Sequence, residues 1–306
     1  MYRTTDEAIN LLNKNYRQVV RISFNGTQET LALTEANILQ GGFSITRGAV
    51  SGDRLEIGSA VAAELKLQLD NRDGRFDETT FEGAELFVEI GVKKWDAREW
   101  EHAIMHWIPC GYFTVDEPPR ALRTINLSAL DRMVKFDRVV DTSLIQFPIS
   151  IEMLVNRCCT ICGVTLASGQ LVNLPNKDYL VSNMPSTEQA ITYRNLIRWA
   201  AAIMGTCAYI DWEGKLRFQW YVDCEQSIDG SKRYSSDMLE QDVTITGIAF
   251  TDTDKVQYIA GTKDYALDMT GNFLIQHDAQ QVVNTIYQRI GGFIYRPYTA
   301  TIKPYP

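Results

Sequence analysis

Several things are scarce or missing in this chain of 306 residues, and each absence removes a class of function. No apolar run approaches the ~18 residues that a membrane helix needs. The N-terminal stretch MYRTTDEAINLLNKN is polar and has no apolar centre of the kind a signal peptide carries. The expectation is a soluble protein made in a cytoplasm, without membrane insertion. Lysines and arginines are not clustered in either half, and the net charge is −8 with a pI near 5.1. A duplex-binding face needs a basic cluster, so sequence-specific nucleic-acid binding is not expected. An acidic wall would instead suit a conduit that DNA passes without being gripped. No Gly-x-Ser-x-Gly elbow, phosphate-binding loop or dinucleotide fingerprint occurs.

Histidine is scarce too, with His102, His106 and His277 the whole supply. His102 and His106 are four apart beside Glu101, but the zinc-protease pattern places its glutamate directly after the first histidine on a firm helix. Here Ala103 follows, and the segment runs into Pro109. A solvated or interface loop is the better reading.

Six cysteines, Cys110, Cys158, Cys159, Cys162, Cys207 and Cys224, are too unevenly placed for a disulfide scaffold. The one CxxC, Cys159 to Cys162, sits at the C-terminal end of an expected helix, where the dipole disfavours thiolate. No second pair stands at zinc spacing. Buried structural thiols follow, with no metal and no cofactor. The acidic loop DNRDGRFDE offers Asp70, Asp73, Gly74, Asp77 and Glu78, but not in the order of a calcium loop. Turns held by Asx hydrogen bonds are expected there and at Asp252 and Asp254.

What remains is a strand pattern. The chain turns on Ile108–Asp137, where a strand from Tyr112 to Glu117 stops at Pro118-Pro119. A second strand, Arg123 to Ala129, turns Ile125, Leu127 and Ala129 to one face. Asp131 then caps a helical turn carrying Met133, Val134 and Phe136. Before it, strands are expected at 16–24, 30–33, 38–48, 60–69 and 84–91. Asn25-Gly26 marks a hairpin, Gly41-Gly42 a bulge, and Thr4 with Glu7 a helix start. From Ile149 the composition changes. Ser150 caps a helix to Cys162 with Met153, Leu154, Cys158 and Ile161 on its apolar side, and Gly163 ends it. A strong helix is expected over 187–204, then a hairpin over 207–221. Strands return at 243–250, 255–260 and 266–269, with a helix over 277–290 and a last strand over 294–302 that has no closing partner.

Segments of this chain resemble the tail hub proteins of phages and related contractile injection systems. They are LEIGSAVAAELKLQLDN, FEGAELFVEIGV, IPCGYFTVDEP, LSALDRMVKFD, TYRNLIRWAAAIMGTCAYIDWEGKLRF and FLIQHDAQQVVNTIYQRIGGFIYRPYTATI. The resemblance implies an α+β, mainly β fold: two related small antiparallel β-barrels with an inserted α/β module. The units would be a first hub barrel with an N-terminal helix at 1–148, the insert at 149–236, and a second, partial barrel at 237–306. It also implies a structural virion protein of the tail or baseplate, forming a homotrimeric ring that joins tail tube to tail tip around the path of tape-measure protein and DNA. Its partners would be itself, the tail tube or distal tail protein, the tape-measure protein, and a tail spike or tip protein. The chain stops inside the second barrel, so a closing partner or more chain is expected.

No catalytic residue is expected. The alternatives are a tail-associated cell-wall hydrolase or peptidase, and a receptor-binding tip module. Trp95, Trp100 and Trp107 stand in a charged loop and are the candidate interface residues, as contact groups or as local packing.

Overall fold

The computed structural model describes residues 7–8, 11, 16–25, 30–48, 55–94, 104–116, 123–222, 233–238, 241–296 and 298–302. It is mainly β, with one large antiparallel sheet and few helices. Seven strands make that sheet: β1 (Tyr16–Asn25), β2 (Thr30–Thr34), β3 (Ile38–Thr46), β4 (Glu64–Asp70), β5 (Glu85–Lys94), β6 (His106–Val115) and β7 (Thr124–Asp131). Their order is β2-β1-β5-β6-β7-β4-β3.

The two outermost strands, β2 and β3, are consecutive in the chain and separated only by residues 35–37. Asn37 N donates to Thr34 O at 2.9 Å, and Asn37 Oδ1 accepts Thr34 N at 3.0 Å. Three extended residues reach roughly 11 Å at most, so the sheet has to curl until its ends meet at this corner. The apolar faces follow the period of two. Ile22 and Phe24, Leu33, Leu65, Leu67 and Leu69, Leu86 and Val88, Phe113 and Val115, and Ile125, Leu127 and Ala129 form one buried cluster, with Phe43 and Ile45 packed against it. All seven strands therefore face a common interior. Each fully buried Leu or Phe adds about 1.5–3 kcal/mol over an exposed one. Among the described residues, no ladder joins β2 to β3.

Two irregularities shape the sheet. In β3 the register jumps from Ile38↔Leu69 to Phe43↔Leu67. The glycine pair is responsible: Gly41 has φ +73°, and a Cβ on Gly42 would lie 2.8 Å from Gln68 Cβ. In β6, Glu89 faces Pro109 while Val88 faces Gly111, leaving Cys110 as the extra residue. Pro109 has no N–H to give, and the bulge is where a strand can hold it. For that reason β6 starts at His106, six residues ahead of the expected Tyr112. His106 is a strand residue and not a loop residue.

The expected turn after β7 is present. Asp131 caps a short 3₁₀ helix over Arg132–Asp137, accepting Met133 N, with Met133 and Phe136 buried. Next come β8 (Ile149–Ser150) and α1 (Ile151–Cys162), where Ser150 Oγ accepts Met153 N at 3.2 Å and Gly163 takes the left-handed cap at φ 66°. Met153 was expected on the apolar side, but it is 64% exposed, and Ile151 and Val155 fill that face instead. After β9 (Leu180–Val181), α2 runs Tyr193–Ile203. It starts six residues later than the expected 187. Thr192 and Asn195 form a reciprocal capping box that opens the helix there, while the Thr187 hydroxyl bonds Gln189 O. The expected hairpin is β10 (Cys207–Ile210) with β11 (Leu216–Gln219). Asp211 Oδ1 holds its turn by accepting Glu213 N and Lys215 N, both at 2.9 Å.

The rest forms small sheets around α3 (Ala279–Ile290). The strands are β12 (Arg233–Met238), β13 (Val243–Thr244), β14 (Gly247–Thr251), β15 (Gln257–Gly261), β16 (Ala266–Asp268), β17 (Ile294–Tyr295) and β18 (Tyr298–Ile302). The expected strands 243–250 and 294–302 are each broken in two. β14 pairs antiparallel with β15 but parallel with β16. The last strand does have a partner, because β18 pairs with β12. A second buried cluster runs from Met133 and Phe136 through α1, α2 and the β10–β11 hairpin to Ile248, Val283 and Ile286. One continuous core thus joins the helical middle of the chain to its C-terminal strands.

Candidate functional site

The outer face of the curled sheet carries a band of paired aromatic and charged side chains. Strand alternation puts Arg21, Phe87, Glu89, Trp107 and Tyr112 on the face opposite the apolar interior, and Glu85 shares it. At one end the Arg21 guanidinium lies 3.8 Å from the centroid of the Trp107 ring. Its Nε and Nη2 donate to Glu89 Oε2 at 2.8 and 2.6 Å. In the middle Phe87 and Tyr112, direct cross-strand partners, place their rings 4.7 Å apart. At the other end Arg132 Cζ sits 4.3 Å from the Tyr112 ring, and Arg132 grips Glu85 with two hydrogen bonds of 2.8 Å each. Lys135 Nζ adds a contact to Glu85 at 3.6 Å. The Arg132 hydrogen bond, set against a smaller effect of burial, lowers the Glu85 carboxyl below its ordinary range. Aromatic faces under guanidinium groups, half-buried and half-open, suit an interface.

Between the sheet and the β10–β11 hairpin lies a cleft of about 420 Å³. Val61, Ala63, Tyr209, Ile210, Trp220 and Asp131 are among its walls. Burial pushes the Asp131 carboxyl up, and hydrogen bonds from the Ala63 and Met133 amides pull it back.

The acidic loop after β4 is closed on itself. Asn71 Oδ1 accepts Phe76 N at 2.9 Å and Asn71 Nδ2 donates to Asp77 Oδ1 at 2.7 Å. Asp70 is paired with Arg72, and Asp73 with Arg75, whose hydrogen bond holds Asp73 down at about 2. The carboxylates are thus turn elements facing arginines. Burial raises the thiols in and beside the CxxC: Cys159 to about 12, Cys162 to about 11, and Cys158 as well. Cys110 is raised to about 11 by the same cause. None is a thiolate near neutral pH. Among the described residues, no three His, Cys, Asp or Glu side chains are grouped to hold a metal ion. No helix among them is long and apolar enough to cross a membrane.

No family model matches the chain, and no curated protein matches it. Solved structures do. One is the 43 kDa tail protein of prophage MuSo2 from Shewanella oneidensis, 11% identical, with 86% of this chain and 74% of that one covered and a TM-score of 0.46. Another is the tail protein from Neisseria meningitidis MC58, 8% identical, with 90% and 76% covered and a TM-score of 0.48. A third belongs to a Francisella PdpA–VgrG complex, 10% identical, with 83% and 44% covered and a TM-score of 0.43. The chain resembles phage tail proteins. No residue role is carried across at these identities.

Of the three tryptophans singled out in the sequence, Trp107 belongs to the outer band. Trp95 and Trp100 lie outside the described residues, as do Thr4, Glu101, His102, Glu117, Pro118, Pro119 and Cys224. Arg21, Glu89, Phe87, Tyr112 and Arg132 were missed from the sequence. The available signal was the register of β1, β5 and β6, which puts all but Arg132 opposite one another once strand ends are known.

Proposed function

We propose that this protein is a structural component of a phage or phage-like tail: a hub subunit that assembles as a trimeric ring between tail tube and tail tip. The ring surrounds the path of the tape-measure protein and DNA. In this reading 1–148 and 237–306 are two related barrel units and 149–236 is an insert between them. Tube or distal tail protein, tape-measure protein and a spike or tip protein are the partners, and the assembled virion tail is the location. The role is mechanical, without catalysis.

The observation that supports this is the seam of the seven-stranded sheet. β2 and β3 meet at a corner but share no ladder among the described residues, so each has one edge with no strand beside it there. A subunit that pairs with copies of itself satisfies the backbone groups of such an edge. The band around Trp107 supplies a second, side-chain contact beside them. Interfaces of obligate rings bury more than about 2,000 Å².

Native mass spectrometry and electron microscopy of the protein with its tail partners test the reading. Three copies in a ring at the tube–tip junction are expected. Free monomers at every concentration and with every partner would overturn it.

A further inference from the structure

We propose that His277 is the protonated pin of a pH-sensitive clasp that locks β9 and its flanking residues, Tyr179 to Asn183, onto the start of α3, and that the clasp opens when the imidazole loses its proton.

Both ring nitrogens of His277 face acceptors. Nδ1 is 2.9 Å from Asp278 Oδ2, and Nε2 is 2.7 Å from Leu180 O. Only the imidazolium has a proton for each. The ring is stacked on Tyr179, centroids 4.7 Å apart. The Tyr179 hydroxyl accepts Gln276 N at 2.8 Å and His277 N at 3.1 Å, and donates to His277 O at 3.1 Å. Gln276 Oε1 accepts Ser182 N and Asn183 N at 3.0 and 3.1 Å. Two segments nearly a hundred residues apart are thus held through one short stretch.

Asp278 shows what the proton maintains. It is the N-cap of α3, yet it sits in the left-handed region at φ 49° and its side chain caps nothing. An N-cap aspartate ordinarily has extended backbone and accepts an amide of the first turn. Here the carboxylate turns back to the imidazolium, and the backbone is held in a region that a non-glycine residue seldom occupies. The neutral ring has one N–H and can keep only one of its two bonds, so loss of the proton gives up either Leu180 O or Asp278, and for Asp278 the ordinary cap is the competing arrangement.

The other charged groups facing the site from the loop before β9 are Lys177 and Asp178, and Lys177 is taken by Asp178 at 2.9 Å and Glu152 at 3.3 Å. Among the described residues, Asp278 is the only carboxylate bonded to the ring. Its hydrogen bond raises the imidazole above the ordinary 6.5 against a smaller effect of burial. The sign follows. The clasp is fully closed below about 6.5, and its contribution is lost as pH rises through the raised folded-state value.

Two measurements on the whole chain decide this. NMR titration of the His277 ring is expected to show a midpoint above 6.5, returning toward 6.5 in Asp278→Asn and recovered in Asp278→Glu. Hydrogen exchange of the Ser182 and Asn183 amides, corrected for intrinsic rates, is expected to lose protection at least several-fold across that midpoint, and to be flat with pH in His277→Gln. A wild-type midpoint at or below 6.5, or the same pH profile of protection in His277→Gln, overturns the clasp.

Discussion

Asp131 and Ala63 are bonded in both directions: Asp131 N donates to Ala63 O at 2.9 Å, and Asp131 Oδ2 accepts Ala63 N at 3.0 Å. The other oxygen, Oδ1, accepts Met133 N at 2.9 Å. One carboxylate therefore caps the turn after β7 and ties that turn to the chain entering β4. Only the cap was legible in the sequence.

Removing this carboxylate leaves two amides without their partner. Asp131→Ala is expected to cost about 2–4 kcal/mol, and Asp131→Asn less, since its one carbonyl oxygen still serves one amide. Urea unfolding midpoints of the two variants check the order.

The Arg132–Glu85 pair gives an acid dependence. Because Arg132 lowers the Glu85 carboxyl, its contribution is present above about 4.5 and is lost as pH falls through the lowered folded-state value. Arg132→Met is expected to cost about 1–3 kcal/mol at neutral pH and to flatten this part of the acid unfolding curve. Thermal melts of both proteins between neutral pH and pH 3 measure it.

The two sides of the central hairpin should respond oppositely. Leu127 is 3% exposed inside the curled sheet, so Leu127→Asp is expected to cost several kcal/mol for a buried unpaired charge, on the order of 3–5. Asp116 is exposed, and Asp116→Asn is expected to be within about 0.5 kcal/mol of the parent. Circular dichroism melts separate the cases, and a loss of assembly by folded Asp116→Asn would show a contact on that strand end.

The thiols of α1 are expected to be slow and structural. Cys158 is fully buried, so alkylation by iodoacetamide at pH 8 should need unfolding. Cys158→Ser is expected to cost about 1–3 kcal/mol by burying a hydroxyl. Dialysis against a chelator should leave the melting temperature unchanged. A drop of several degrees would point to a bound metal.

Much of the architecture is local and therefore readable. The strand faces of Leu65, Leu67 and Leu69 and of Ile125, Leu127 and Ala129 follow from alternation. The Asp131 and Ser150 caps follow from hydroxyl or carboxylate oxygens placed before orphan amides, and the Gly41-Gly42 bulge from residues that alone tolerate it. Helix and strand starts were less legible where two signals compete. Thr187 and Thr192 both look like caps, and only the reciprocal bond to Asn195 selects the second. Pro109 looks like a strand stop until a bulge gives it a place.

The sequence by itself determined which side chains face inward along strands such as β4 and β7, and which thiols lack a metal-binding partner nearby in the chain. Those depend on residue spacing of two to four, which the chain carries in order. Tertiary structure alone decided that β2 and β3, neighbours in the chain, are the two outermost strands of the sheet, that Arg21 lies over Trp107 next to Glu89, and that Tyr179 receives His277. These contacts join residues about seventy to a hundred apart in the chain or close a sheet through its register, and no local period encodes a register. It is set where the buried faces of all seven strands must share one interior.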